Sequence, residues 1–206
     1  MNKPILILVA GGTASGKTTV VNEILSCCDN DRIAVVCMDN YYKKRDDISL
    51  EERKLINYDH PNSYDIDLLK KDLNLLINNK PINCPVYDFT VHNRHESETI
   101  LIEPAKVIIL EGILALYDND IRALSNINIF VESEADIRFI RRLKRDMCQR
   151  GREIDDIIYQ YLSTVKPMYD EYVAPTKKYA DIIIPNDNKH DVALSILSAK
   201  IKEIIL

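Results

Sequence analysis

The sequence predicts an α/β domain built on a five-stranded parallel sheet with helices on both faces, and three observations carry that reading. Short runs rich in Ile and Val alternate with longer amphipathic segments. The first apolar run leads directly into Gly11-Gly12-Thr13-Ala14-Ser15-Gly16-Lys17-Thr18, a glycine-rich turn opening a helical pattern. Only five glycines occur, Gly11, Gly12, Gly16, Gly112 and Gly151, and they fall at three places, where functional geometry is therefore expected.

Each element follows in order. Ile5–Ala10 reads as a buried strand. It lacks a basic n-region and a cleavage site, so it is not read as a signal peptide. Thr18–Cys28 has helical periodicity, and Ile33–Met38 is the second strand. Asp65–Asn78 is a helix with Leu68, Leu69, Leu73, Leu76 and Ile77 on its inner face. Cys84–Phe89 and Thr99–Glu103 flank a polar stretch and read as a β-hairpin arm, about residues 84–103. Val107–Leu110 and Ile127–Val131 are strands, followed by helices at Glu134–Gln149 and Asp155–Tyr172. Asp181–Ile184 supplies the fifth parallel strand, and Asp191–Ile205 is the final helix.

A length of 206 residues fits a single domain, 1–206, and 46% hydrophobic residues suffice for a core. Twenty-seven basic residues against 32 acidic ones give a net charge of −5, which excludes a general binder of nucleic acid or anionic membrane. No apolar run approaches the ~20 residues of a membrane span. The odd number of cysteines, with no C-x-x-C pair, implies reduced thiols and a cytoplasmic protein. His60, His92, His95 and His190 do not combine with them at zinc-like spacing.

The G-x-x-x-x-G-K-T pattern at 11–18 is that of a phosphate-binding P-loop. Loop N–H groups from Gly12, Thr13, Ala14, Ser15, Gly16, Lys17, Thr18 and Thr19 would cradle a nucleotide's phosphates at a helix N-terminus. Lys17 would bridge the β- and γ-phosphates, and the Thr18 hydroxyl would bind Mg²⁺. Asn188-Lys189-His190-Asp191 mimics the guanine reader of GTPases. The D-x-x-G element a GTPase needs is missing, so Asp191 is read as a helix N-cap. Asp39 and Glu111 each follow an apolar strand directly, which places both carboxylates at the ligand-binding end of the sheet. They suit a Mg²⁺ shell and a group that orients an attacking hydroxyl.

Arg138, Arg141, Arg142 and Arg145 share one helical face. Residues 138–152 hold seven basic groups against one acid, Asp146, so the segment reads as carrying its like charges without an internal partner and as waiting for a polyanion. Gly151, between Arg150 and Arg152, reads as the pivot of an Arg-rich lid at about 145–165.

The chain resembles the uridine kinases (uridine–cytidine kinases) of the P-loop nucleoside kinases over nearly its whole length. The resemblance rests on the P-loop, Met-Asp-Asn-Tyr-Tyr at 38–42, Asn-Tyr-Asp-His-Pro at 57–61 and Pro-Val-Tyr-Asp-Phe at 85–89. It continues through Glu-Gly-Ile-Leu-Ala at 111–115, Arg-Asp-Met-Cys-Gln-Arg-Gly-Arg at 145–152 and Lys-Tyr-Ala-Asp-Ile-Ile-Ile-Pro at 178–185. It implies transfer of the γ-phosphoryl of ATP or GTP to the 5′-hydroxyl of uridine or cytidine. Asp39 would then be the base, with Lys17 at the phosphates. Thr18 and Glu111 would hold Mg²⁺, with Asp39 contributing through a water. Asp59 and Arg142 would hold the ribose, while Tyr42, Tyr58, Tyr87, His92, Arg152 and Gln160 would line the nucleoside pocket. Arg145 and Arg150 would reach ATP from the lid. A homotetramer with CTP and UTP as feedback inhibitors is the family expectation. Phosphoribulokinase and pantothenate kinase share the P-loop and the aspartate after the second strand, but their acceptors would leave Tyr87 and His92 without a task. A nucleotide-binding module without turnover would not need Lys17, Thr18, Asp39 and Glu111 all intact.

Overall fold

The computed structural model describes residues 3–27, 32–187 and 191–205, with the side chain of Asp191 excepted. The Asn188–His190 part of the guanine-reader mimic and the Asp191 cap lie outside what is described.

Five parallel strands form the main sheet: β1 (Ile5–Ala10), β2 (Ile33–Cys37), β5 (Val107–Glu111), β6 (Ile127–Glu132) and β7 (Ile182–Pro185). Their spatial order is β2-β5-β1-β6-β7, so β1 is central and carries the P-loop at its carboxyl end. Alternate β1 residues serve opposite faces, as strand geometry requires. Ile7 and Val9 pack with Val20, Val21 and Ile24 of α1 (Lys17–Ser26) and with Leu197 and Ile201 of the C-terminal helix (Asp191–Ile205). Leu6, Leu8 and Ala10 face Leu69, Leu73 and Leu76 of the helix at Ile66–Ile77, together with Tyr41, Tyr64 and Tyr87.

Register places the chemistry. Glu111 is level with Val9 on one side and Cys37 on the other. The last residue of β5 and the turn after β2, a 3₁₀ segment at Met38–Tyr41, therefore open beside the P-loop.

The hairpin arm exists with different limits. β3 (Ile82–Asp88) pairs antiparallel with β4 (Asn93–Ile102), so most of the stretch expected to be polar connection is strand. Residues 95–101 of β4 are exposed, and no inside-outside alternation marks them as strand in the sequence. The register shifts between Pro85, opposite Thr99, and Tyr87, opposite Arg94. Pro85 has no N–H for the ladder, and a bulge at such a residue is the usual accommodation.

The predicted helix at Asp155–Tyr172 is not uniform. A helix at Ile154–Gln160 passes into π turns at Tyr161–Val165 and Tyr169–Val173, separated by a short α turn at Lys166–Met168. Pro167 cannot donate to the i→i−4 ladder, and the hydrogen bonding on either side of it is widened.

Candidate active site

The P-loop curls on its own bonds: Ser15 N–H donates to Gly12 O at 3.1 Å, and Lys17 Nζ donates to the same carbonyl at 3.0 Å. Gly16 sits at φ +93°, left-handed backbone that favours glycine, and a Cβ there would lie 1.8 Å from Asn186 Nδ2. Asn186, just past β7, donates its side-chain amide to Ser15 O at 2.7 Å and so braces the loop. Sequence reasoning missed it, although the strand-end rule that selects Asp39 and Glu111 applies equally to a polar residue after β7.

The predicted phosphate and metal residues converge. Thr18 Oγ1 donates to Glu111 Oε1 at 2.8 Å. Burial pulls the Lys17 pKa down, while the charges of Glu111 and then Asp39 hold it up. Burial lifts Asp39, against Lys17, Arg150 and the Tyr64 hydroxyl, which lower it. Glu111 is raised by burial too, opposed by Lys17 and Thr18. A hydroxyl oxygen and a carboxylate already in contact beside a P-loop make a hard-oxygen donor set suited to Mg²⁺, which takes few protein ligands and fills its shell with phosphate and water. Among the described residues no group of three or more His, Cys, Asp or Glu side chains is arranged as a metal cage.

Behind Asp39 lies an aromatic chamber. Tyr42 stacks on Tyr64 with centroids 4.4 Å apart and meets Tyr58 and Tyr87 at 5.2 and 4.9 Å. His92 stacks on Tyr58 at 5.5 Å, and the Tyr58 hydroxyl donates to the His92 carbonyl at 3.2 Å. His92 forms the hairpin turn with φ +50°. Burial lowers its pKa, and Arg152 and Lys54 lower it further, so the ring is neutral near pH 7. Tyr64, which the sequence reading did not select, links chamber and carboxylate: its hydroxyl is 2.9 Å from that of Tyr42 and 3.4 Å from Asp39 Oδ1.

The arginine helix, Ala135–Arg150, closes the other side. Its buried stripe is Arg138, Arg142 and Asp146, charged throughout. Arg142 donates to Thr13 Oγ1 at 3.0 Å and to Gln160 Oε1 at 2.8 Å, and Arg152 reaches the same Gln160 oxygen at 2.6 Å. Burial raises the Asp59 pKa, with Arg142 as the strongest opposing influence. Arg138, also missed as a site residue, lies over the Tyr169 ring at 3.9 Å, with its guanidinium against Gly12.

One expectation is overturned. The basic segment does have an internal partner: Asp146, fully buried, lies within 2.9–3.7 Å of Arg142, Arg145, Arg150 and Arg152. The lone acid counted in the sequence sits at the centre of the arginines because i, i+4 spacing from Arg142 and to Arg150, and the return of the chain after Gly151, bring them to it. Gly151 itself ends the arginine helix in a left-handed cap at φ +60°.

A P-loop with a buried lysine, two carboxylates at adjacent strand ends and an arginine helix over them define a P-loop kinase, a phosphotransferase. Residues 6–193 match the phosphoribulokinase / uridine kinase family, and the chain belongs to that family. It is 50% identical over 206 residues to a uridine kinase of Lactobacillus helveticus, covering 100% of this chain and 97% of the relative. It is 49% identical over 204 residues to one of Lactobacillus johnsonii, covering 98% and 96%. The phosphoribulokinase of Rhodobacter spheroides shares the fold, with a TM-score of 0.65 at 16% identity over 89% of this chain and 70% of that one. No described helix is long and apolar enough to cross a membrane.

Proposed function

We propose that this kinase transfers the γ-phosphoryl group of ATP or GTP to the 5′-hydroxyl of uridine or cytidine, giving UMP or CMP. The observation that carries this reading is the position of Asp39: its carboxylate is bonded by Tyr64 of the aromatic chamber on one side and sensed by Lys17 of the P-loop on the other. The 5′-hydroxyl of a nucleoside whose base is held among Tyr42, Tyr58, Tyr87 and His92 meets a phosphate held by the loop at that point. The hydroxyl donates to Asp39, which takes the proton as the new O–P bond forms and the bond to the β-phosphate oxygen breaks. Asp59 and Arg142 hold the ribose hydroxyls as acceptor and donor, and Gln160 fixes Arg142 and Arg152 beside them. Lys17, Arg145 and Arg150 offset charge on the transferring group. Thr18 and Glu111 would hold Mg²⁺, which would supply positive charge to offset that of the nucleotide's phosphates.

Neutral His92 supports acceptance of both pyrimidines. One ring nitrogen donates and the other accepts, so it presents N–H to a uracil carbonyl or a lone pair to a cytosine amine. A pyrimidine triphosphate would place its base in the chamber and its phosphates at the loop, which is the basis for feedback inhibition by CTP and UTP. The functional form is a cytoplasmic homotetramer, and residues 145–165 act as the lid. The test is product analysis with Mg²⁺, ATP or GTP and a panel of uridine, cytidine, purine nucleosides, ribulose 5-phosphate and pantothenate. Monophosphates from uridine and cytidine alone are expected. Turnover of a sugar phosphate or pantothenate without either nucleoside overturns the reading.

A further inference from the structure

Four guanidiniums converge on one carboxylate that the mechanism does not use. Asp146 Oδ1 lies 2.9 Å from Arg145 Nε and 3.5 Å from Arg150 Nη1, while Oδ2 lies 3.6 Å from Arg142 Nε and 3.7 Å from Arg152 Nη1. The side chain is completely buried, whereas those of Arg145, Arg150 and Arg152 remain about a third exposed. Each oxygen thus serves a different pair. Arg145 and Arg150 are the pair felt by Asp39, and Arg145 is also felt by Lys17. Arg142 and Arg152 are the pair joined through Gln160. Arg150 also lies over the Phe89 ring of the hairpin arm at 4.8 Å.

We propose that Asp146 is a positioning residue that sets the arginines of both substrate sites at once. The proposal rests on the phosphate and nucleoside assignments above. Like charges this close would otherwise splay into solvent, and three of the four have the exposure to do so. Oδ2 and Arg142 Nε are buried without a close hydrogen bond. That half of the cluster is held by charge at longer range, which leaves Arg142 donors free for Thr13, Gln160 and an incoming ligand.

A purely structural carboxylate would affect stability. Loss of a positioning carboxylate also degrades both substrates' kinetics in the folded enzyme, and its effect is coupled to those of the arginine side chains it holds. Steady-state kinetics of Asp146→Asn with MgATP and uridine are expected to show kcat/KM falling about ten- to a hundredfold for each substrate, the scale of an ångström-level misplacement. Arg150→Ala is expected to cost less in the Asp146→Asn background than in wild type, because its anchor is already gone. Calorimetric titration with a non-hydrolysable ATP analogue, with no nucleoside present, should show the same weakening. That arm separates the two ideas: if wild type does not phosphorylate uridine, the substrate reading fails while the effect of Asp146 on analogue binding still decides this one. Should Asp146→Asn not fold, Asp146→Glu carries the test, since it keeps the charge but moves the oxygens by one methylene. Kinetics and analogue affinity both within about twofold of wild type in the folded variant, or strict additivity with Arg150→Ala, overturn the proposal.

Discussion

Replacing Gly16 by alanine tests how the P-loop is braced. The residue is held at φ +93°, and a Cβ would fall 1.8 Å from Asn186 Nδ2. Left-handed backbone costs an L-residue about 1–2 kcal/mol. The overlap is too large for adjustment by a few tenths of an ångström, so Asn186 must leave Ser15 O, to which it donates at 2.7 Å. Asn186 is only 6% exposed, so the broken bond leaves buried polar groups unmet. That adds about 1–3 kcal/mol. The sum, about 2–5 kcal/mol, lowers the Tm of a domain this size by roughly 4–20 °C. Thermal unfolding by circular dichroism measures it, with Asn186→Ala and the double variant completing a cycle. Asn186→Ala removes the obstacle but not the backbone strain. The double variant should therefore lose about 1–3 kcal/mol less than the sum of the singles. A Gly16→Ala protein melting within about 1 °C of wild type, or an additive cycle, would refute the reasoning.

Other perturbations have equally definite outcomes. Asp39→Asn should keep ATP binding and lose roughly 10²–10⁴ in kcat. Burial raises the Asp39 pKa in the folded protein, so its ionised form destabilises the ligand-free fold, and this penalty grows as pH rises through that raised value. Asp39→Asn should therefore raise the ligand-free Tm at pH 7, with the gain vanishing as pH falls toward the ordinary aspartate value of 3.8. In wild type the acid limb of kcat/KM, which reports the free enzyme, should sit above 3.8, and a limb at or below it would contradict the direction of the shift. Lys17→Ala should damage ATP affinity and kcat together, in contrast to Asp39→Asn. His92→Tyr should lower kcat/KM for uridine more than for cytidine, because the bulkier phenol closes the position from which the imidazole N–H meets the uracil carbonyl; an unchanged ratio means His92 does not read the base.

How far the sequence led depended on whether the signal was local. The phosphate loop, Asp39 and Glu111 were legible because a strand's end and a glycine turn are short-range features, and a parallel sheet brings such ends together automatically. The strand register that levels Glu111 with Cys37 and Val9 then follows. Tyr64 had no such mark: its hydroxyl reaches Asp39 only because the chain between β2 and the helix at Ile66–Ile77 returns under the sheet, pairing Tyr42 with Tyr64 in an isolated bridge. The arm's limits were misplaced because an exposed strand carries no inside-outside alternation, and Pro85 with its bulge breaks what pattern there was.

Asp146 was misread for a different reason. Counting charges along a segment gives +6 for residues 138–152, which suggests repulsion awaiting a ligand. Charge acts through space, and the effective count is that of the site's four carboxylates and the cations they act on. Lys17 and Arg142, Arg145, Arg150 and Arg152 contribute five positive charges. Asp39, Asp59, Glu111 and Asp146 contribute four negative ones, a local sum of +1 in a chain of −5. A near-neutral cluster can stay ordered before substrate arrives, because each cation already has a carboxylate in range. It still attracts phosphate, because three of the carboxylates belong to the metal, the attacking hydroxyl and the ribose in the proposed complex, and those ligands take over the acids while phosphate takes over the arginines. Only Asp146 has no substrate group to meet. Its charge stays with the arginines throughout, and that fixed share keeps them from being a loose cationic patch.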